Sequence, residues 1–94
     1  MRVVGKGIID AAIRKHGNLA GPLGSWWKIA NEQTWTCLND IRKTWPKTDE
    51  HDGWFIFDIK GRRFRLIATI NFRSLLLEVR HVLTHAEYDK GDWK

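Results

Sequence analysis

Cysteine is almost missing from this chain. Cys37 stands alone among 94 residues, which excludes an internal disulfide and any multi-cysteine zinc motif. With only four histidines besides, neither a metal site nor another cofactor is expected. Long apolar runs are missing too: no stretch approaches the roughly 18 residues that a membrane-spanning helix needs. The opening segment, MRVVGKGIIDAAIRKHG, is broken by Gly, Lys and Asp and lacks the apolar core of a secretory leader. A cytoplasmic protein is expected. Acid is scarcer than base, with 11 Asp and Glu against 16 Lys and Arg and a formal net charge of +5. That balance favours an anionic partner without identifying it. The length suits one core of two packed layers, so residues 1–94 read as a single domain.

The charge is unevenly spread. Between Lys60 and Arg80 stand six cations, Lys60, Arg62, Arg63, Arg65, Arg73 and Arg80, against one anion, Glu78. Residues 46–58, PKTDEHDGWFIFD, carry four acids and one lysine.

Hydrophobic spacing divides the chain in two. MRVV reads as a short strand. Ile8, Ile9, Ala12, Ile13 and His16 then recur at helical spacing until Gly17, which offers a left-handed cap. Leu19, Leu23, Trp26, Trp27 and Ala30 continue that spacing in a second helix to about Gln33, with Pro22 tolerable in its first turn. Thr36 can cap a third helical segment in which Leu38, Ile41 and Trp45 share a face, and Pro46 ends it. KTDEHDG reads as a polar loop.

From Gly53 the period falls to two, predicting three strands, WFIFDIK, RFRLIATIN and LLLEVRHVL. A two-residue turn at Gly61-Arg62 sets Asp58 opposite Arg65 and Lys60 opposite Arg63. A four-residue loop from Phe72 to Leu75 then brings Ile67 opposite Arg80. In this register one face carries Phe55, Phe57, Ile59, Phe64, Leu66, Ala68, Ile70, Leu77, Val79 and His81, and packs on the helices. The other face carries Lys60, Arg63, Arg65 and Arg80 and is cationic. The class is α+β: a short N-terminal strand, two to three helices packed on an antiparallel β-meander, and a short C-terminal helix.

That last helix begins at Thr84-His-Ala-Glu87, a capping box, with Leu83 able to staple onto Tyr88. His85 and Tyr88, three apart, project from neighbouring parts of one helical face. Cations beside a histidine and a tyrosine, without metal ligands, fit cleavage of RNA by its own 2′-hydroxyl. Such cleavage needs a base for the 2′-OH proton, an acid for the departing 5′-oxygen, and positive charge for the phosphorane. Histidine suits either proton role; tyrosine near Arg and Lys can serve as acid or base or orient the phosphate.

The hairpin F-x-I-K-G-x-x-x-R-L, here within FIFDIKGRRFRL, followed by a strand that leads into LTHAEYDK, resembles the HigB family of bacterial toxins in the wider RelE-like group. The resemblance extends over essentially the whole chain. It implies a RelE-like fold and a metal-independent endoribonuclease toxin that cuts messenger RNA, typically in the ribosomal decoding site. It also implies a HigA-type helix-turn-helix antitoxin as partner, besides mRNA and the ribosome. Carried onto matching positions, the family's catalytic roles fall to Lys60, Arg65, Arg80, His85 and Tyr88. Arg62, Arg63, Arg73, Lys90 and Trp54 are candidate RNA contacts. The chain ends at Lys94, so contacts made in the family by a longer C-terminal extension are expected to be absent, and Trp93 is left without an assigned partner.

Plainer readings stand beside these. Tyr88 can be a staple, His81 a core or rim residue, Glu87 a capping partner, and Asp89 and Lys90 a solvated helix face. Asp58 can form a cross-strand ion pair with Arg65 or hold it for phosphate. Trp26, Trp27 and Trp45 fall at core spacing, whereas Trp54 sits on the polar-face parity. A noncatalytic RelE-like module that poisons DNA gyrase, or a plain RNA-binding domain, are the competing functions.

Overall fold

The computed structural model describes residues 1–94. Strand β1 (Arg2–Val4) leads into α1 (Lys6–Lys15), a 3-10 turn (Gly17–Leu19), α2 (Ala20–Glu32) and α3 (Leu38–Thr44). Strands β2 (Asp49–His51), β3 (Trp54–Ile59), β4 (Phe64–Asn71) and β5 (Leu76–Thr84) follow, and α4 (His85–Lys90) closes the fold. The sheet runs β1-β5-β4-β3-β2, antiparallel except for the parallel β1–β5 pair. No helix is long and apolar enough to cross a membrane.

The meander forms because alternate apolar residues can be buried on one side. Phe55, Phe57, Ile59, Phe64, Leu66, Ala68, Leu77 and Val79 join Ile9, Leu19, Leu23, Trp26 and Ile41 of the helices in the main core. Burial of each large aliphatic or aromatic side chain there contributes about 1.5–3 kcal/mol. Trp27 and Trp45 pack at its edge, as their spacing predicts. Trp35, which sits between α2 and α3 and has no periodicity to flag it, is 2% exposed and stacks on Phe57 with centroids 6.2 Å apart.

Five local expectations are corrected. KTDEHDG is not wholly loop, since β2 pairs with β3; its three residues are all exposed, so no apolar alternation marks it. Gly17 does not cap α1 in a left-handed conformation: His16 closes that helix and Gly17 starts the 3-10 turn. Cys37 is the N-cap of α3, and the backbone and hydroxyl of Thr36 instead donate to Asp40. These bonds to Thr36 hold the Asp40 carboxyl below its ordinary range.

The other two corrections concern the sheet. A β-bulge makes Arg80 the extra residue, so Ile67 lies opposite His81 and Ala68 opposite Val79. Beyond the bulge the parity reverses: Val82 packs on the main core, while His81 faces Trp54 on the other side, 6.3 Å away. That second side is not a cationic face either. Ile56, Ile67 and Trp93 are buried there as a smaller cluster, with Trp54, Leu83 and Tyr88 packed against it.

Gly5 joins the first strand to α1 at φ +103°, where an added Cβ would meet the Val79 carbonyl oxygen at 2.7 Å. Both the dihedral and the close approach require glycine. Gly5→Ala is expected to destabilise the protein by at least about 2 kcal/mol, measured by urea denaturation.

Candidate active site

The turn between β3 and β4 and the first turn of α4 meet at one end of the sheet. The backbone N–H of His85 donates to the Arg63 carbonyl at 3.0 Å, docking the helix start on the hairpin. The helix itself is set by the expected capping box: Glu87 N–H donates to Thr84 Oγ1 at 3.2 Å and Thr84 N–H to Glu87 Oε1 at 2.9 Å. The Thr84 backbone bond, chiefly, holds the Glu87 carboxyl below its ordinary range; burial opposes it, and the Thr84 hydroxyl, Lys15 and His16 add to it. Leu83 and Tyr88 pack on the same small cluster, as a staple does.

A cleft of about 630 Å³ opens beside this junction, lined among others by Lys47, Asp58, Arg62, Arg65, His85, Tyr88 and Asp89. His85 is exposed, and its Nδ1 lies 2.8 Å from Asp89 Oδ2. A carboxylate on Nδ1–H fixes the imidazole and leaves Nε2 with its lone pair. Arg65 is only 6% exposed. Its Nη1 donates to the Arg62 carbonyl at 2.9 Å and pairs with Asp58 Oδ1 at 3.1 Å, in the cross-strand register the hairpin predicts. Its guanidinium carbon also lies 5.4 Å from the centre of the Tyr88 ring. That ring stacks on Trp93 with centroids 5.4 Å apart and planes 15° from parallel. Trp93 therefore does have a partner.

The cleft thus gathers His85, Tyr88, Arg65 and Arg62. Arg65 has its charge compensated by Asp58, while Lys47 and Arg62 have no ion-pair partner and supply uncompensated positive charge. The other candidates lie elsewhere. Lys60 lines a depression with Pro22, Trp26 and Trp45. Arg63 contributes its carbonyl to the helix start, and its side chain is exposed. Arg80 is held by Glu78 at 3.0 Å and Thr69 Oγ1 at 3.3 Å, four residues back along β5 from Thr84. Arg73 is in the β4–β5 turn, beyond the far end of β4, and the seven steps of that strand span about 23 Å. Lys90 pairs with Asp92 at 3.9 Å, and Trp54 is packed edge-on against Trp93. His81 and His85 stand four apart, but the strand-to-helix boundary between them removes the helical spacing that two metal ligands would share.

Lys47, Asp49 and Asp89 line the cleft without having been site candidates in the sequence. Asp89 carried a usable signal, its i+4 relation to His85 within one helix. Lys47 carried none, since nothing in a polar loop indicates which way it folds.

Comparison with known proteins places the chain in a family. Residues 19–91 match the family model for the HigB toxin, a RelE-like toxic component of a toxin–antitoxin system. The chain belongs to the HigB toxin family. It is also 31% identical over 93 residues, 96% of this chain and 90% of the relative, to the mRNA interferase HigB of Escherichia coli O6:H1 strain CFT073. Membership of a HigB toxin–antitoxin family implies an antitoxin partner.

Two outcomes test this construction. Asp58→Ala leaves a buried guanidinium without its carboxylate and is expected to cost about 3 kcal/mol, read from denaturant midpoints. The lowered Glu87 carboxyl stabilises the fold above its unfolded value, near 4.5, and that contribution is lost as pH falls through the folded value. Glu87→Gln should therefore be less stable than wild type at neutral pH, with the gap closing below about pH 4.5, followed by thermal melts across pH.

Proposed function

We propose that this HigB-family chain is a metal-independent endoribonuclease that cuts messenger RNA on the ribosome, in the cytoplasm, and is neutralised by a HigA-type helix-turn-helix antitoxin. The observation that carries the reading is the His85–Asp89 pair, 2.8 Å apart, on a cleft that also holds Tyr88 and the uncompensated Arg62 and Lys47. The relative named an mRNA interferase supports the same reaction class.

In this reading His85 Nε2 takes the proton of the 2′-hydroxyl, with Asp89 stabilising the imidazolium that forms. The 2′-oxygen attacks the adjacent phosphorus, the P–O5′ bond breaks, and the Tyr88 hydroxyl protonates the departing 5′-oxygen. Arg65, beside the Tyr88 ring, stabilises the tyrosinate left behind. Arg62 and Lys47 hold the phosphoryl oxygens as their charge grows. The products are a 2′,3′-cyclic phosphate and a 5′-hydroxyl end. Lys60, Arg63, Arg73, Arg80 and Lys90, outside the cleft, bind RNA backbone away from the reacting phosphate.

Primer extension on a reporter mRNA in a reconstituted translation system, with and without ribosomes, tests the reading. Wild type is expected to give in-frame cuts only with ribosomes. His85→Ala should lower the cleavage rate by about 10²- to 10⁴-fold, with Tyr88→Phe and Asp89→Asn also impaired. Intact mRNA together with persistent growth arrest would discard the nuclease and leave a protein target such as DNA gyrase. RNA affinity that falls with salt but yields no product would leave a plain RNA-binding domain.

A further inference from the structure

The chain turns back on itself after α4. Gly91 caps the helix at φ +80°, and its N–H donates to the Tyr88 carbonyl at 3.1 Å. The reversal carries Trp93 back over Tyr88, where its indole Nε1–H donates to the same carbonyl at 3.0 Å. The two rings lie nearly parallel, and Trp54 meets the edge of Trp93 at 5.8 Å. Trp93 is 9% exposed and buried against Ile56 and Ile67, so it has no free face to offer a nucleobase. It also lies beyond residues 19–91, the part that matches the HigB family model. Of the cleft residues that carry polar chemistry, the one its ring stacks on is Tyr88.

We propose that Trp93 is a positioning residue: its hydrogen bond to the Tyr88 main-chain carbonyl anchors the indole, its stack sets the plane of the Tyr88 ring, and the ring so held presents its hydroxyl to the cleft that Arg65 also lines. Tyr88 has a short helix under it and is only partly buried. Without the indole, the Arg65 contact and what is left of the cluster around Ile56 and Ile67 would restrain its side-chain torsions. Small errors in the direction of a reacting hydroxyl lower the rate without weakening substrate binding. The inference rests on the nuclease reading for its kinetic consequence and on geometry alone for the ring placement.

Tyr88 is the sole tyrosine, which makes its ring resonances and its ultraviolet ionisation individually readable. The experiment compares wild type, Trp93→Leu and Trp93→Phe by aromatic NMR and by single-turnover cleavage of ribosome-bound mRNA across toxin concentrations. Trp93→Leu is expected to lose the indole ring-current shift of the Tyr88 resonances and to lower the maximal rate about tenfold, with the half-saturating concentration within about twofold. Trp93→Phe, which keeps a ring on Tyr88, should recover most of that rate. Unshifted Tyr88 resonances in Trp93→Leu would overturn the proposal. So would an unchanged maximal rate, or equal losses in the Leu and Phe variants. Should Trp93→Leu not fold, as amide dispersion would show, Trp93→Phe decides: near wild-type rate and a shifted Tyr88 ring are expected, and a rate as low as that of Tyr88→Phe overturns it. A wild-type protein that cuts no RNA refutes the nuclease reading, and the resonance comparison then decides the ring placement by itself.

Discussion

A guanidinium that cannot reach bulk water must be satisfied by the protein, and Arg65 imposes that demand on everything around it. At 6% exposure it takes one carboxylate, Asp58 across the ladder, and one carbonyl, Arg62 in the turn, and it lies beside the Tyr88 ring. The first ties β3 to β4, the second fixes the turn, and the third ties the hairpin to α4. The turn carbonyl of Arg63, adjacent to the one Arg65 uses, receives the first N–H of α4. One buried charge thus organises the two strands and the turn of one hairpin and holds them to a helix twenty residues on in the chain, and the cleft is the space between them. Such pairs are better at specifying geometry than at adding net stability, which is what a site of this kind requires.

The electrostatics of the cleft differ from what the net charge of +5 leads one to expect. Asp49, Asp58 and Asp89 line it together with Lys47, Arg62, Arg65 and His85. Asp58 is compensated by Arg65 and Asp49 lies 3.6 Å from Arg42, whereas Asp89 is hydrogen-bonded to a His85 imidazole that carries no charge while it serves as base. Compensated charges give short-ranged fields. A phosphate entering the cleft is therefore drawn by Lys47 and Arg62 and then meets groups already locked in orientation, while long-range attraction comes from the excess of base over the whole surface.

What could be read from the sequence was what local rules determine. The Asp58–Arg65 pairing followed from a two-residue turn, the capping box from four consecutive residues, and the helix-facing side of the meander from simple alternation. The other features depend on contacts between distant parts of the chain. β2 has three exposed residues and exists only because β3 offers it an edge. Trp35 and Trp93 follow no period, and each is buried because a distant strand lies beneath it. The cationic second face was predicted by counting charges at alternate positions, but Ile56 and Ile67 occupy the same face, and burying their apolar area against α4 and Trp93 outweighs keeping it open.

The bulge at Arg80 couples the register of the sheet to the placement of α4. Strict alternation from Val79 would put His81 and Leu83 on the helix-facing side and Val82 on the other. With Arg80 inserted, Val82 turns to the main core, and His81 and Leu83 turn to the second face. Leu83 is the residue before the N-cap of α4, and its staple to Tyr88 then lies on the face that already carries Arg65 and Ile67. A helix that follows a strand inherits the side on which that strand ends. Were Arg80 paired as a regular ladder residue instead of bulged, Leu83 would turn towards the main core and draw Tyr88 away from Arg65, leaving His85 and Arg65 on opposite sides of the sheet. The register error that periodicity cannot detect is therefore the device that assembles the cleft.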